Sequence, residues 1–241
     1  MKKPVINGII VLAVALLFSQ IIQAQGTTYM SNLGQYTDGS LAVGSDSWVG
    51  NEFTVGTNAG GYVLNSVQLQ MAAASGSPGG FSVILYQYNW LSFNPVHPIV
   101  NGEPSGGSPY LTTTLIGSAN PTTAGIYTYT PPANLTLLPG DLLSIVVTAG
   151  TTVANGSYNW SEGLPFSTGI GLDGWRTTDT IAQSSDGGLS WRNGLNYSTY
   201  PQFAINATAV PEPGVPGLLA LGATALFIRR RRCTFLAPAT C

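Results

Sequence analysis

Between residues 50 and 207 the apolar side chains come in short runs, each cut off by Gly, Pro, Asn or Ser, and they never settle into a sustained period of 3.6. A helical body would have no amphipathic face to bury, so the pattern points to antiparallel strands. Residues 50–57 alternate, with Phe53 and Val55 inward and Glu52 and Thr54 outward, and residues 62–71 alternate again with Val67, Leu69 and Met71 on one side. Residues 81–88 are apolar on both sides, as a central strand covered on both faces would be. Further short strands are expected at 110–116, 125–130, 134–138, 142–148, 158–161, 174–178, 188–192 and 202–207, with one loosely held strand between 25 and 50. Leu138, Pro139, Gly140 and Asp141 form a tight turn, and the proline-punctuated stretch 89–108 forms the longest surface loop. The expected fold class is all-β, an antiparallel β-sandwich of jelly-roll type.

The two ends of the chain carry a different message. Lys2 and Lys3 precede an apolar run at 9–18 and then Ile22, Gln23 and Ala24, the order of a secretory signal cut between Ala24 and Gln25. At the other end Pro211, Glu212 and Pro213 form a stiff extended segment, an apolar run follows at 215–228, and Arg229, Arg230, Arg231 and Arg232 stand together. Arginines beside an apolar segment stay on the cytoplasmic side, which places the chain before Pro211 outside. The run is 14 residues, about 21 Å as a helix against a hydrocarbon core of about 30 Å. It holds weakly as an anchor. The organisation expected is therefore a signal peptide at 1–24, one body at 25–208, a hydrophobic C-terminal segment at 209–232 and a short tail at 233–241.

Charge agrees with export and narrows the partners. Charged residues make up 7% of the chain, against about 25% in an ordinary soluble domain. Between residues 25 and 210 only Arg176 and Arg192 are basic, against nine acids. Nucleic acid is excluded as a partner, because its binding is dominated by Lys and Arg on phosphates. Cys233 and Cys241 both lie beyond the arginines, so the body folds on its hydrophobic core without a disulfide.

The order Pro211-Glu212-Pro213, apolar span and four arginines resembles a PEP-CTERM sorting signal, found on exported proteins of Gram-negative bacteria that make extracellular polysaccharide. Tails of that family stop at the basic cluster, whereas this chain runs on to Cys241. The resemblance implies processing by a membrane-embedded exosortase after signal peptidase, transient residence at the inner membrane, and delivery to the cell envelope or the exopolysaccharide matrix. The stretches NEFTVGTNAGGYVLNSVQLQM, GGFSVILY, GSANPTTAGIYTYT, SYNWS and SSDGGLSW, in that order, resemble the choice-of-anchor R domain. That likeness implies a β-rich surface module carried ahead of an anchoring tail, and no activity.

Within the body Ser184, Asp186, Gly188, Ser190 and Trp191 resemble an Asp-box, a hairpin in which the carboxylate accepts N–H bonds across the turn, the glycine takes a positive φ and the Trp packs beneath. A single copy reads as structure. Trp90, Trp160 and Trp175 are candidates for a platform stacking on sugar rings, although large aromatics are also ordinary core residues. Asp173, Asp179 and Asp186 lie in loops but match no defined calcium spacing. His97 is the one histidine, so neither a zinc site nor a Ser-His-Asp arrangement is expected. Glu52, Glu103 and Glu162 could serve a glycosidase only if folding opposed two of them across a cleft. The reading expects no cofactor, no metal and no catalysis, with a structural or adhesive role. The alternatives are a carbohydrate-binding module and a secreted hydrolase.

Overall fold

The computed structural model describes residues 26–87, 112–117, 119–132, 135–163, 171–192 and 199–212. The expected signal segment with Ala24 and Gln25, the expected loop with Trp90, His97 and Glu103, Pro213, the apolar run and Arg229–Arg232 lie outside them. Among the described residues no helix is long and apolar enough to cross a membrane.

The body is all-β and every strand pairing in it is antiparallel. The strands are β1 (Thr27–Ser31), β2 (Thr37–Val43), β3 (Trp48–Thr54), β4 (Tyr62–Gly76), β5 (Ser82–Gln87), β6 (Thr112–Gly117), β7 (Gly125–Thr130), β8 (Thr136–Leu137), β9 (Leu142–Thr148), β10 (Gly156–Gly163), β11 (Arg176–Ser184), β12 (Tyr200–Pro201) and β13 (Phe203–Ala209). One sheet runs β11-β3-β9-β5-β6, and the other runs β7-β4-β13-β1. They join through two residue pairs, Ile116 with Thr130 and Gly117 with Tyr129. The long strand β4 forks the second sheet. Its first part pairs with β13 and its last part with β10, which carries β2 and β12.

Period-2 alternation produces the core. Val67, Leu69 and Met71 from β4, Phe203 and Ile205 from β13, Leu143, Ile145 and Val147 from β9 and Phe53 from β3 are all fully buried in one cluster. At one end Trp175 stacks on Tyr29 and Phe53 and meets the edge of Tyr62, at centroid distances of 5.4, 6.0 and 5.1 Å. At the other, Phe81 packs on Tyr129 and Tyr158. The turn after Leu138 forms as its residues require: Gly140 has φ +76 and the Leu138 carbonyl accepts from the Asp141 amide at 3.2 Å.

Four expectations change. The stretch 25–50, expected to hold one loose strand, carries β1, β2 and the start of β3, paired to β13, β10 and β9. Strand β4 runs on past the expected end at Met71 to Gly76, through three alanines and a serine, because β10 pairs with Met71, Ala72, Ser75 and Gly76. Tertiary pairing overrode a weak local preference. Residues 188–192 form no strand; they are the second limb of a hairpin, held by a single bridge between Gln183 and Arg192. Glu52, expected to point to solvent, is only 7% exposed.

Candidate functional site

The last strand leads directly to the motif that dominates the sequence. Ala209 pairs with Tyr62, after which the Val210 amide donates to the Gly61 carbonyl at 3.0 Å. The Asn58 side-chain amide then donates to two carbonyls, Gly61 at 2.6 Å and Val210 at 2.9 Å. The Asn58 backbone amide is itself satisfied by the Tyr62 hydroxyl at 3.1 Å. Asn58 thus bridges the start of β4 and the end of β13. Two glycines make room for it. Gly61 holds φ +77, and a Cβ on Gly60 would run into the Val210 carbonyl and crowd that of Pro211. Past this clamp Pro211 and Glu212 are exposed.

The N-terminus emerges nearby. Thr27 lies opposite Ala207, so the start of β1 sits beside the end of β13. Thr27, two residues after Gln25, and the Pro-Glu pair therefore lie at neighbouring positions on the body. The sequence carried no sign of this, since it depends on which strand β13 pairs with.

The Asp-box residues come together in a closed turn. Asp186 Oδ1 accepts from the Ser190 amide at 2.8 Å and from the Ser184 hydroxyl at 2.7 Å, and Oδ2 accepts from the Ser190 hydroxyl at 2.5 Å. The Ser184 hydroxyl oxygen also accepts from the Gly188 amide at 2.8 Å. These bonds to the charged form, those of Ser190 foremost, hold the Asp186 carboxyl down at about 2. Gly187 and Gly188 have φ +73 and +87. The ring beneath Gly188 is Trp48, which a Cβ there would meet at 2.9 Å, and Trp191 meets Trp48 edge-on at 6.3 Å. Sequence reasoning missed Trp48.

The sugar platform is overturned for two of its three members. Trp160 and Trp175 are 0% exposed, and a ring with no free face cannot stack on a ligand. Trp160 Nε1 is used up on the Gln202 carbonyl at 2.9 Å, and Trp175 is packed on all sides by Tyr29, Phe53 and Tyr62. Trp160 faces inward from β10, whereas Trp175 stands just before β11, at the end of a short turn, and is drawn into the core by Tyr29, Phe53 and Tyr62.

The carboxylates are scattered. Asp173 and Asp186 flank β11 at opposite ends, and β11 pairs with β3 from Thr54 to Trp48, a span of about 20 Å at the rise of a strand, so these two do not share an ion. Among the described residues no three His, Cys, Asp or Glu side chains gather as a metal site would need. Glu52 lies on β3 and Glu162 on β10, in different sheets. Burial pushes the Glu162 carboxyl up, opposed by the Thr199 hydroxyl at 3.4 Å and reinforced by Asp38.

Compared with known proteins, the chain matches no family model, no curated protein and no solved structure.

Proposed function

We propose that this is a non-enzymatic exported protein, delivered to the cell envelope or the exopolysaccharide matrix by an exosortase that reads a PEP-CTERM tail. The observation that carries the reading is the clamp at Val210. The folded body holds its chain up to that residue and releases it, exposed, at Pro211 and Glu212, where the sorting motif begins. A protease needs an extended, accessible segment, and a proline pair keeps one extended. The adjacent exits of β1 and β13 suit a precursor whose two targeting segments both enter the inner membrane, with signal peptidase acting on one and exosortase on the other. We place the body in the choice-of-anchor R class with a jelly-roll-like sandwich. The class rests on the resemblance of the sequence stretches alone; pairing of the first strand with the last, and a core shared by two sheets, support the sandwich.

The test is intact mass and C-terminal sequencing of the protein from its native cells, with and without the exosortase. The expected result is a mature C-terminus near Pro211–Pro213 that is lost in the mutant. An intact 229–232 cluster in both strains would make the segment a plain membrane anchor and move the function to the inner membrane.

A further inference from the structure

We propose that the outer face of the sheet β7-β4-β13-β1 is a docking surface for an uncharged polysaccharide. The proposal rests on the reading of the protein as a surface or matrix component and names the partner that such a role requires. No residue of these four strands is charged, although the body as a whole carries nine acids and two arginines. The acids among the described residues sit elsewhere: Asp38 on β2, Glu52 on β3, Glu162 on β10, Asp179 on β11 and not in a loop as expected, and Asp46, Asp141, Asp173 and Asp186 in connections.

The face is instead a field of neutral hydrogen-bonding groups fixed across the strands. Thr28 donates to the Asn206 side chain at 2.6 Å, which donates to Ser66 at 3.0 Å, one row running over β1, β13 and β4. Gln68 and Thr128 form the next row, over β4 and β7, at 3.4 Å. Each of these groups spends only part of its capacity on its neighbour: an Asn or Gln amide has two donors and two lone pairs, and a hydroxyl has one donor and two. Thr28 and Thr128 are exposed and Ser66, Gln68 and Asn206 half-buried, so the remainder is open to a ligand from solvent. Because the pairs already fix the rotamers, less side-chain entropy is lost when a ligand arrives. At the β7 side Ile126 and, on β6, Ile116 are 55% and 66% exposed and add apolar ground to the same face, since Ile116 lies opposite Thr130.

That mixture selects among partners by charge and by polarity. A polyanion or a basic protein would find no opposite charge there. A protein interface of ordinary strength draws on aromatic and Arg anchors, which the outward positions of these strands lack. A lipid surface would leave the amides and hydroxyls without partners. An uncharged glycan offers both of the missing halves: hydroxyls to pair with the Thr, Ser, Asn and Gln groups, and C–H faces to lie on the isoleucines. Strands about 4.8 Å apart repeat these contacts along a polymer, so that weak unit affinities add up.

The experiment is affinity electrophoresis of the full-length protein in a non-glycosidic detergent, through gels holding dextran, soluble xyloglucan or galactomannan, with alginate as the charged control. Expected are retardation by at least one uncharged polymer that persists at high salt, and roughly tenfold weaker binding for both Thr128→Glu and Thr128→Lys. The hairpin variant Leu189→Glu, equally charged but remote from this face, should bind like the parent. Circular dichroism and melting of each variant separate lost binding from lost folding. The proposal is overturned by migration unaffected by every uncharged polymer, by retardation in alginate alone, or by Lys strengthening what Glu weakens. Failure here leaves the C-terminal mass of the native protein unchanged, and an unprocessed tail leaves the gel retardation unchanged, so the two readings fail separately.

Discussion

The exit of β13 and the hairpin after β11 solve the same problem with different chemistry. Each closes the end of a strand with side chains that bond to backbone, and each relies on glycines to bring the chain close. At the exit the bonding group is the neutral Asn58 amide, tied to two carbonyls. At the hairpin it is the Asp186 carboxylate, tied to Ser184 and Ser190. A neutral clamp is indifferent to pH, whereas a carboxylate one exists only while ionised. The end of β13 is thus held by Asn58 bonds that involve no carboxylate.

The comparison breaks most sharply at Gly60. Gly60→Val places its side chain against the Val210 carbonyl, which is backbone and has no rotamer to yield. Overpacking of this kind costs about 1–3 kcal/mol, and the expected relief is detachment of Val210. Hydrogen exchange should show the Val210 amide losing protection while β13 upstream keeps it. Unchanged protection would mean that the clamp is not what ends the strand. Asn58→Ala removes two side-chain bonds while leaving the glycines. The expected loss is about 1–2 kcal/mol, equal at neutral and acid pH in urea titration. It should also lengthen the accessible segment, so that a protease added to the purified protein cuts upstream of Pro211 as well as beyond it.

How much of this was legible in the sequence depends on whether local or distant contacts decide it. The hairpin was legible because its donors and acceptor fall within residues 184–190, where spacing alone places Asp186 against Ser190. The strand β9 was legible for the same kind of reason, since a run of Leu, Ile and Val interrupted only by Ser144 leaves it no other place than the interior. The Asn58 clamp was not, because its partner Val210 is 152 residues away and nothing in the run Asn58–Gly61 names it. Trp160 and Trp175 were misassigned for a related reason: an aromatic near Asn and Asp reads alike whether it faces a ligand or the core. Only the pairing of β10 and the packing of Trp175 on Tyr29 and Phe53 decide between the two. The charge-free face was present in the strand sequences, but four strands far apart in the chain become one surface only through the order β7-β4-β13-β1.

A smaller effect is expected at Asp186. Its folded pKa, about 2, lies below the ordinary aspartate range, so it contributes stability above that range and loses it as pH falls toward 2. Thermal melting of the parent should therefore fall through this window, and Asp186→Asn should flatten that part of the profile while lowering stability at neutral pH. The exchange of the Gln183 and Arg192 amides, which close the hairpin at 3.0 and 2.8 Å, should quicken in the variant. A profile as steep in the variant as in the parent would assign the acid loss to other groups.

Glu162 should give the smallest effect, and of opposite sign. Its carboxyl is pushed up by burial and by Asp38, so the contribution it makes is present below the ordinary glutamate range and lost as pH rises through its folded value. Glu162→Gln keeps an oxygen for the Thr199 hydroxyl and removes the charge. The expected outcome is a slightly higher melting temperature at neutral pH and no difference from the parent at low pH. The two single variants would then have profiles that diverge in opposite directions, with Asp186→Asn converging on the parent in acid from below and Glu162→Gln from above. If Glu162→Gln melted lower than the parent at neutral pH, its carboxylate would be holding β10, β2 and β12 together as an anion, and the neutral character seen at the Val210 exit would not extend to that end of the sheet.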